Sequence, residues 1–251
     1  MNDLVSVITP LYNKEYFIDK TIDSVLNQSY NNLEMIIVDD LSTDKSRKIV
    51  KEYAAKDDRI KLIKLQKNQG AAVARNTGIE NATGRYIAFI DSDDLWEPDK
   101  LETQLEFMEK NNYSFTFTSL RFIDDQGNDL DNISKVPESI DYHSLLKNTI
   151  IGCSSVIIDR EKISKIKMPD IRAGQDTAAW LQILKRGYKA YGLNEPLTRY
   201  RIGVEGSISS NKLKALKRTW RIYREIEEFS LIKSSYFFTH YFINAVKKYL
   251  S

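Results

Sequence analysis

The chain contains little from which a disulfide, a histidine centre or a membrane span could be built. Its 251 residues include one cysteine, Cys153, so no internal disulfide can form, and a reducing compartment is the natural setting. Cys153 itself reads as a small buried hydrophobe rather than a nucleophile. The two histidines, His143 and His240, have no acid or second histidine at ligand spacing and read as structural or surface residues. The start lacks a basic region followed by an apolar run, and no stretch is long and apolar enough to cross a bilayer, which predicts a cytoplasmic protein. Repeats and low-complexity segments are absent. A strong charge of one sign is missing too, with a formal net charge of +2.

That balance hides an asymmetry. Residues 206–251 hold nine Lys or Arg against three Glu, whereas the rest holds 28 basic against 32 acidic residues. A mildly acidic body with a basic tail argues against a nucleic-acid partner. The composition, 42% hydrophobic and 29% charged, is that of a globular protein with a sizeable core and one or two domains.

The apolar runs alternate with helical periodicity. Leu4 to Ile8 reads as a first strand, closed by Thr9-Pro10. Ile18, Ile22, Val25 and Leu26 mark one face of a helix over Glu15 to Gln28. Met35 to Val38 is a second strand ending in Asp39-Asp40. Ser42-Thr43-Asp44 starts the next helix, and Ile60 to Leu65 is a third strand. Asn68-Gln-Gly70 makes a turn before a small-residue helix that runs through Gly78. The strand Tyr86 to Ile90 follows. This order predicts an α/β, Rossmann-like doubly wound, mostly parallel sheet.

Beyond Pro98, read as the first turn of a helix bearing Leu101, Leu105 and Met108, the pattern becomes more antiparallel. Strands are expected over Ser114 to Phe122, Ser154 to Ile158, Tyr188 to Leu193 and Leu197 to Tyr200. A helix over Asp176 to Lys185 is expected to stop at Gly187. In the tail, Leu213, Leu216, Trp220 and Tyr223 form an apolar stripe among basic residues, followed by the aromatic run Tyr236 to Phe242. Such a tail over 211–250 suits an anionic membrane surface; packing on the main body or a homodimer contact explains it equally well.

The chemistry concentrates at Asp91-Ser92-Asp93-Asp94. A buried strand cannot hold unpaired carboxylates in its interior, so these acids belong where the strand leaves the sheet, the edge at which open α/β sheets bind ligands. Carboxylates there suit Mg²⁺ or Mn²⁺, and such a cation suits a diphosphate. The competing reading is a capped strand-to-helix turn, with Asp94 as the cap of the helix at Pro98.

Five blocks extend this picture: Val5-Ser-Val-Ile-Thr-Pro-Leu-Tyr-Asn13, Leu26-Asn-Gln-Ser-Tyr30, Ile36-Ile-Val-Asp-Asp40 with Ser42-Thr-Asp44, Asn68 to Ile79, and Ile90-Asp-Ser-Asp-Asp-Leu-Trp96. In order and spacing they resemble the inverting family 2 glycosyltransferases, which have the GT-A fold. The later region, Ile171 to Ser210 and the Lys-rich tail, is most similar to bacterial enzymes of teichuronic-acid, capsule and lipopolysaccharide assembly.

The resemblance implies a GT-A catalytic domain over 1–205, with a nucleotide-sugar half (1–97) and an acceptor half (98–205), and a helical tail over 206–251. It implies sugar transfer from a UDP-sugar to a saccharide hydroxyl, the acceptor commonly being lipid-linked, at the inner face of the cell membrane. Asp40 would accept a hydrogen bond from uracil, Tyr12 would stack on the base and Pro10 would shape the loop. Asp39 would either join them or cap the next helix. Gly70 would let the backbone approach the ligand, and Arg75 would pair with Asp91 or phosphate. Asp93 would hold one divalent cation, Mn²⁺ or Mg²⁺, and Asp91 would contact it through water or contact the ribose, with Ser92 between them.

Asp176 is the candidate general base, or the N-cap of its helix. The family commonly has Glu-Asp here, whereas this chain has Gln175-Asp176. Two rivals remain. A nucleotidyltransferase would carry a Gly-rich basic loop after the first strand, which Thr9 to Asn13 lacks. A nucleotide-sugar-binding protein without transferase activity would bind UDP without turnover.

Overall fold

The structure is a computed structural model that describes residues 3–203 and 212–250. The expected boundary at 205/206 lies outside the described residues, as do the side chains of Leu213, Lys247 and Lys248. The strands β1 (Val5–Leu11), β2 (Leu33–Asp39), β3 (Ile60–Lys64) and β4 (Tyr86–Phe89) pair in parallel in the order β3-β2-β1-β4. Alternate residues of β1 and β2 enter different cores. Ile8, Ile36 and Val38 face one side, and Val5, Val7, Met35 and Ile37 the other. Both sets are apolar because helices cover both faces, so these strands read as continuous hydrophobic runs.

The second half extends this sheet. It continues through β9 (Ile157–Asp159), β6 (Phe115–Ile123), β10 (Ala190–Arg201) and β5 (Leu95–Trp96), with β7 (Asp129–Ser134) on β6 and β8 (Ser139–Ile140) on β10. Strand β9 runs antiparallel to both β4 and β6, so β6 and the parallel β10 run in the same direction as β4. The C-terminal ends of β1, β2, β4 and β10 therefore share one edge.

One face is covered by α1 (Ile18–Leu26), α2 (Ser46–Ala54) and α4 (Lys100–Lys110). The other carries α3 (Ala71–Asn81), α5 (Tyr142–Lys147) and α6 (Gln175–Lys185). Trp180 of α6 is fully buried edge-on between Phe89 and Phe115, with centroids 5.6 and 5.2 Å away.

The tail folds as α7 (Lys212–Arg221), a π-helical turn (Ile222–Ile226) and α8 (Leu231–Leu250). Ile222, Tyr223, Phe229 and Phe237 enter the same core as Trp180. Tyr142 donates a hydrogen bond to buried Glu227, which also accepts from Lys185 Nζ at 2.9 Å. Much of the tail's apolar surface is thus turned inward. Among the described residues, no helix is long and apolar enough to cross a membrane.

Several sequence expectations are corrected. Strand β1 runs through Pro10 to Leu11; beyond Ile8 it pairs only with β2, where a residue lacking an N–H is tolerated. Pro98 precedes α4, which starts at Lys100. Ser154 lies in a short 3₁₀ turn, Cys153–Ser155, rather than in a strand. The two strands expected over 188–200 are one, β10, with a register shift between Leu193 and Thr198. Strand β7 carries mostly exposed residues, so it lacked the apolar alternation that marks a strand in sequence.

Candidate active site

The shared edge opens into a cavity of about 520 Å³. Pro10, Tyr12, Asp40, Gly70, Arg75, Asp91, Ser92, Asp93 and Asp176 all line it. Asp39 is absent from the lining. It is fully buried at the end of β2, accepts a hydrogen bond from the Ser42 amide at 2.9 Å, and lies 3.7 Å from Arg47 Nε. It does not cap the next helix, whose N-cap is Lys45 and which starts at Ser46; it braces the turn that precedes that helix.

Each lining residue is placed by its element. Tyr12 follows β1 and is 46% exposed, so its ring is open to a planar partner. Asp40 follows β2, and its two carboxylate oxygens accept from the amides of Gln69 and Gly70, both at 2.7 Å. Asp40 thereby fixes the turn into α3. Gly70 has φ +87°, a conformation L side chains rarely adopt, and a Cβ there would meet nothing within 4 Å. Glycine is needed here for the backbone angle rather than for space.

Arg75 is buried on α3 and donates to Asp91. Burial opposes its charge, but the nearby carboxylates of Asp91 and Asp176 outweigh it and hold the guanidinium strongly protonated. Its Nε and Nη1 are buried without a hydrogen-bond partner. The Asp91 amide donates to Ser154 Oγ at 3.0 Å.

Asp94 does not cap α4. Its carboxylate is buried and accepts from Ser154 Oγ at 2.5 Å and from the Arg201 amide at 2.9 Å, tying the acidic turn to the 3₁₀ turn and to β10. Burial, then Asp93 and Asp91, push its pKa well above the ordinary value. Asp93 keeps its carboxylate at the cavity, where Lys14 Nζ donates to it at 2.6 Å.

Asp176 sits within the first turn of α6. The N-cap is Gly174, with φ +80°, so Asp176 is not the cap. Neighbouring Gln175 is buried, with Oε1 unpartnered. Cys153 is a buried thiol whose pKa is raised by burial, as a structural cysteine should be.

Sequence reasoning missed Lys14, Arg172, Arg201 and Arg218, all of which line the cavity. Lys14 follows directly on a motif block and could have been included. The three arginines come from a loop, the end of β10 and the tail, and nothing in their local sequence points to one place. Arg201 donates from Nε to the Asp93 carbonyl at 2.7 Å, and its Nη2 is buried without a partner.

Asp91 and Asp93 put carboxylates on the cavity wall, the donor type that a divalent cation takes. No group of three or more metal-binding side chains occurs among the described residues, so the protein would offer one or two carboxylates and leave the remaining positions to water and phosphate. Mg²⁺ is commonly held this way. The ammonium of Lys14 against Asp93 marks the spot as one that takes positive charge.

A sequence profile of Glycosyl transferase family 2 matches residues 6–166. The chain is 53% identical over 247 residues to TuaG of Bacillus subtilis (strain 168), a protein named for teichuronic acid biosynthesis, covering 98% of each. It is 40% identical over 247 residues to WfgD of Escherichia coli, covering 98% of this chain and 95% of that one. WfgD is named as a UDP-Glc:alpha-D-GlcNAc-diphosphoundecaprenol beta-1,3-glucosyltransferase. The structure superposes on S. aureus TarS 1–349 in complex with UDP-GlcNAc with a TM-score of 0.72 and 18% identity, covering 95% of this chain and 71% of that one. That likeness establishes a GT-A-type fold.

Proposed function

The chain belongs to glycosyl transferase family 2, and we propose that it transfers a sugar from a UDP-sugar to a hydroxyl of a lipid-linked saccharide in bacterial cell-surface polysaccharide synthesis, with inversion. The observation that carries this reading is the convergence of Tyr12, the Asp91-Ser92-Asp93 turn and Asp176 on one cavity. The activity for which WfgD is named and the UDP-GlcNAc held by TarS support the donor and acceptor classes.

Tyr12 stacks on the base, and Pro10 and the Asp40-braced turn at Gly70 shape its pocket. Asp93, aided by Asp91, would hold Mg²⁺ or Mn²⁺; the cation supplies charge neutralisation for the departing UDP. Lys14 exchanges its Asp93 contact for phosphate oxygens when the donor enters. Arg75 keeps Asp91 in place. Asp176 accepts the proton of the acceptor hydroxyl as that oxygen attacks the anomeric carbon from the face opposite UDP, breaking the bond to the diphosphate in one step. Positioning and electrostatics supply most of the rate.

The acceptor's lipid lies in the inner face of the cell membrane, which α8 meets through its exposed apolar side. A binding protein without turnover would share the donor pocket, but it would have no use for a carboxylate on the acceptor side.

The decisive experiment is calorimetry of UDP with and without Mn²⁺ on wild type and Asp93→Ala. Metal-dependent binding that the variant loses supports the donor site. Absence of UDP binding by the wild type under both conditions would sink the UDP assignment.

A further inference from the structure

We infer that Arg172 and Arg218 form an anion clamp for the phosphate next to the acceptor sugar, so that the tail helix α7 is part of the acceptor site. The inference rests on the transferase reading above and names a partner group for that site.

Both arginines line the cavity beside Gly174, Gln175 and Asp176. Neither has a carboxylate partner among the described residues. The stem of Arg218 crosses Gly174 closely. A Cβ at Gly174 would stand 2.9 Å from both Cγ and Cδ of Arg218 and 3.0 Å from Ile222 Cδ1. Gly174 also has φ +80°, so two independent demands, backbone angle and space, require glycine where the tail meets the base helix.

The side of the cavity decides which anion the clamp serves. Inversion puts the attacking hydroxyl and its base opposite the leaving diphosphate. Arg218 packs on the residue two positions before Asp176 and so lies on the base's side. The leaving group belongs with Asp91, Asp93 and Lys14. Arg172 and Arg218, lining the other part of the cavity, therefore face an anion carried by the acceptor. In a lipid-diphosphate acceptor, the nearest phosphate is one sugar ring from the attacked hydroxyl, within the same cavity. The guanidinium fork matches phosphate oxygens, and the N-terminal end of α6 adds positive potential at the same place. Arg172 is exposed and Arg218 half-buried, at the open side where a lipid-linked group must enter.

The test uses the full chain saturated with UDP and Mn²⁺ and titrates two probes by calorimetry. One is a short-chain alkyl α-GlcNAc diphosphate; the other is the alkyl α-GlcNAc glycoside without phosphate. The diphosphate should bind wild type at least tenfold more tightly than the glycoside. Arg218→Gln and Arg172→Gln should each remove most of that advantage while leaving UDP affinity within twofold. Arg172 is exposed, so its variant keeps the test informative if Arg218→Gln does not fold. Equal binding of the two probes to wild type would overturn the clamp, as would variants that weaken UDP as much as the diphosphate probe. A wild type that binds no UDP would instead overturn the transferase reading and take the clamp with it.

Discussion

At the scale of residues, the site is organised by which carboxylates are engaged and which are open. Four acids line the cavity on its proposed donor side, yet their environments differ. Asp40 is committed to two amides and Asp94 to Ser154 and Arg201. Asp91 is held by Arg75, and among the described residues the Asp93 carboxylate accepts only from the Lys14 ammonium. Asp93 is therefore the carboxylate most easily released to a cation. On the proposed acceptor side Asp176 stands without a carboxylate neighbour in sequence. Asp176→Asn keeps the shape and removes the proton acceptor. We expect turnover to fall by about a hundred- to ten-thousand-fold, with UDP affinity and thermal midpoint unchanged. Steady-state assay of sugar transfer, calorimetry and thermal denaturation check this together. A drop in thermal midpoint that tracks the lost activity would return Asp176 to a structural role.

At the scale of elements, the edge opposite the cavity is pinned by one buried acid. Glu34 of β2 accepts from Ser6 Oγ on β1 at 2.6 Å, from Lys61 Nζ on β3 at 2.6 Å, and from the Thr83 amide ahead of β4 at 2.7 Å. Burial alone would raise its pKa, but the Lys61, Ser6 and Thr83 hydrogen bonds overcome that and lower it to about 2. A carboxyl whose folded pKa is depressed stabilises the fold above its unfolded pKa, and the contribution is lost as pH falls through the folded value. The window runs from the ordinary glutamate range near 4.5 down to about 2. Lys61 is half exposed, so solvent screening trims the gain to about 1–2 kcal/mol. Glu34→Gln should be less stable than wild type by that amount at pH 7, with the gap narrowing by pH 3. Urea denaturation at both pH values measures it, and a gap that widens in acid would refute the assignment.

At the scale of the whole molecule, the tail has two faces with different fates. Its inward face completes the core around Trp180, and each fully buried apolar side chain contributes about 1.5–3 kcal/mol. Its outward face leaves Leu231 at 63%, Ile232 at 86% and Tyr236 at 53% exposure on α8, with Phe242, Ile243 and Val246 continuing the strip. Lys233 is exposed on the same helix, and Lys217 and Arg221, the latter paired with Glu225, are exposed on α7. An apolar strip with basic neighbours favours an anionic lipid surface. The protein should co-float with phosphatidylglycerol vesicles and not with phosphatidylcholine ones. Ile232→Asp with Phe242→Asp should abolish flotation without lowering the thermal midpoint, since neither side chain is in the core. A pair of variants that still floats would remove α8 from the membrane contact.

The sequence by itself determined the parallel half of the sheet and its site-bearing turns. Runs such as Met35 to Val38 are apolar on both faces and end in acids, and a buried strand can carry acids only at its ends. The same blocks carried the family resemblance, because their order and spacing are local. What only the tertiary structure decided depends on pairs far apart in the chain. The antiparallel insertion of β9 turns β10 so that Arg201 reaches the acids. The role of Asp94 is set by Ser154, 60 residues away. Gly174 and Arg218 meet only because the tail folds back over α6, and no periodicity in either segment records that contact.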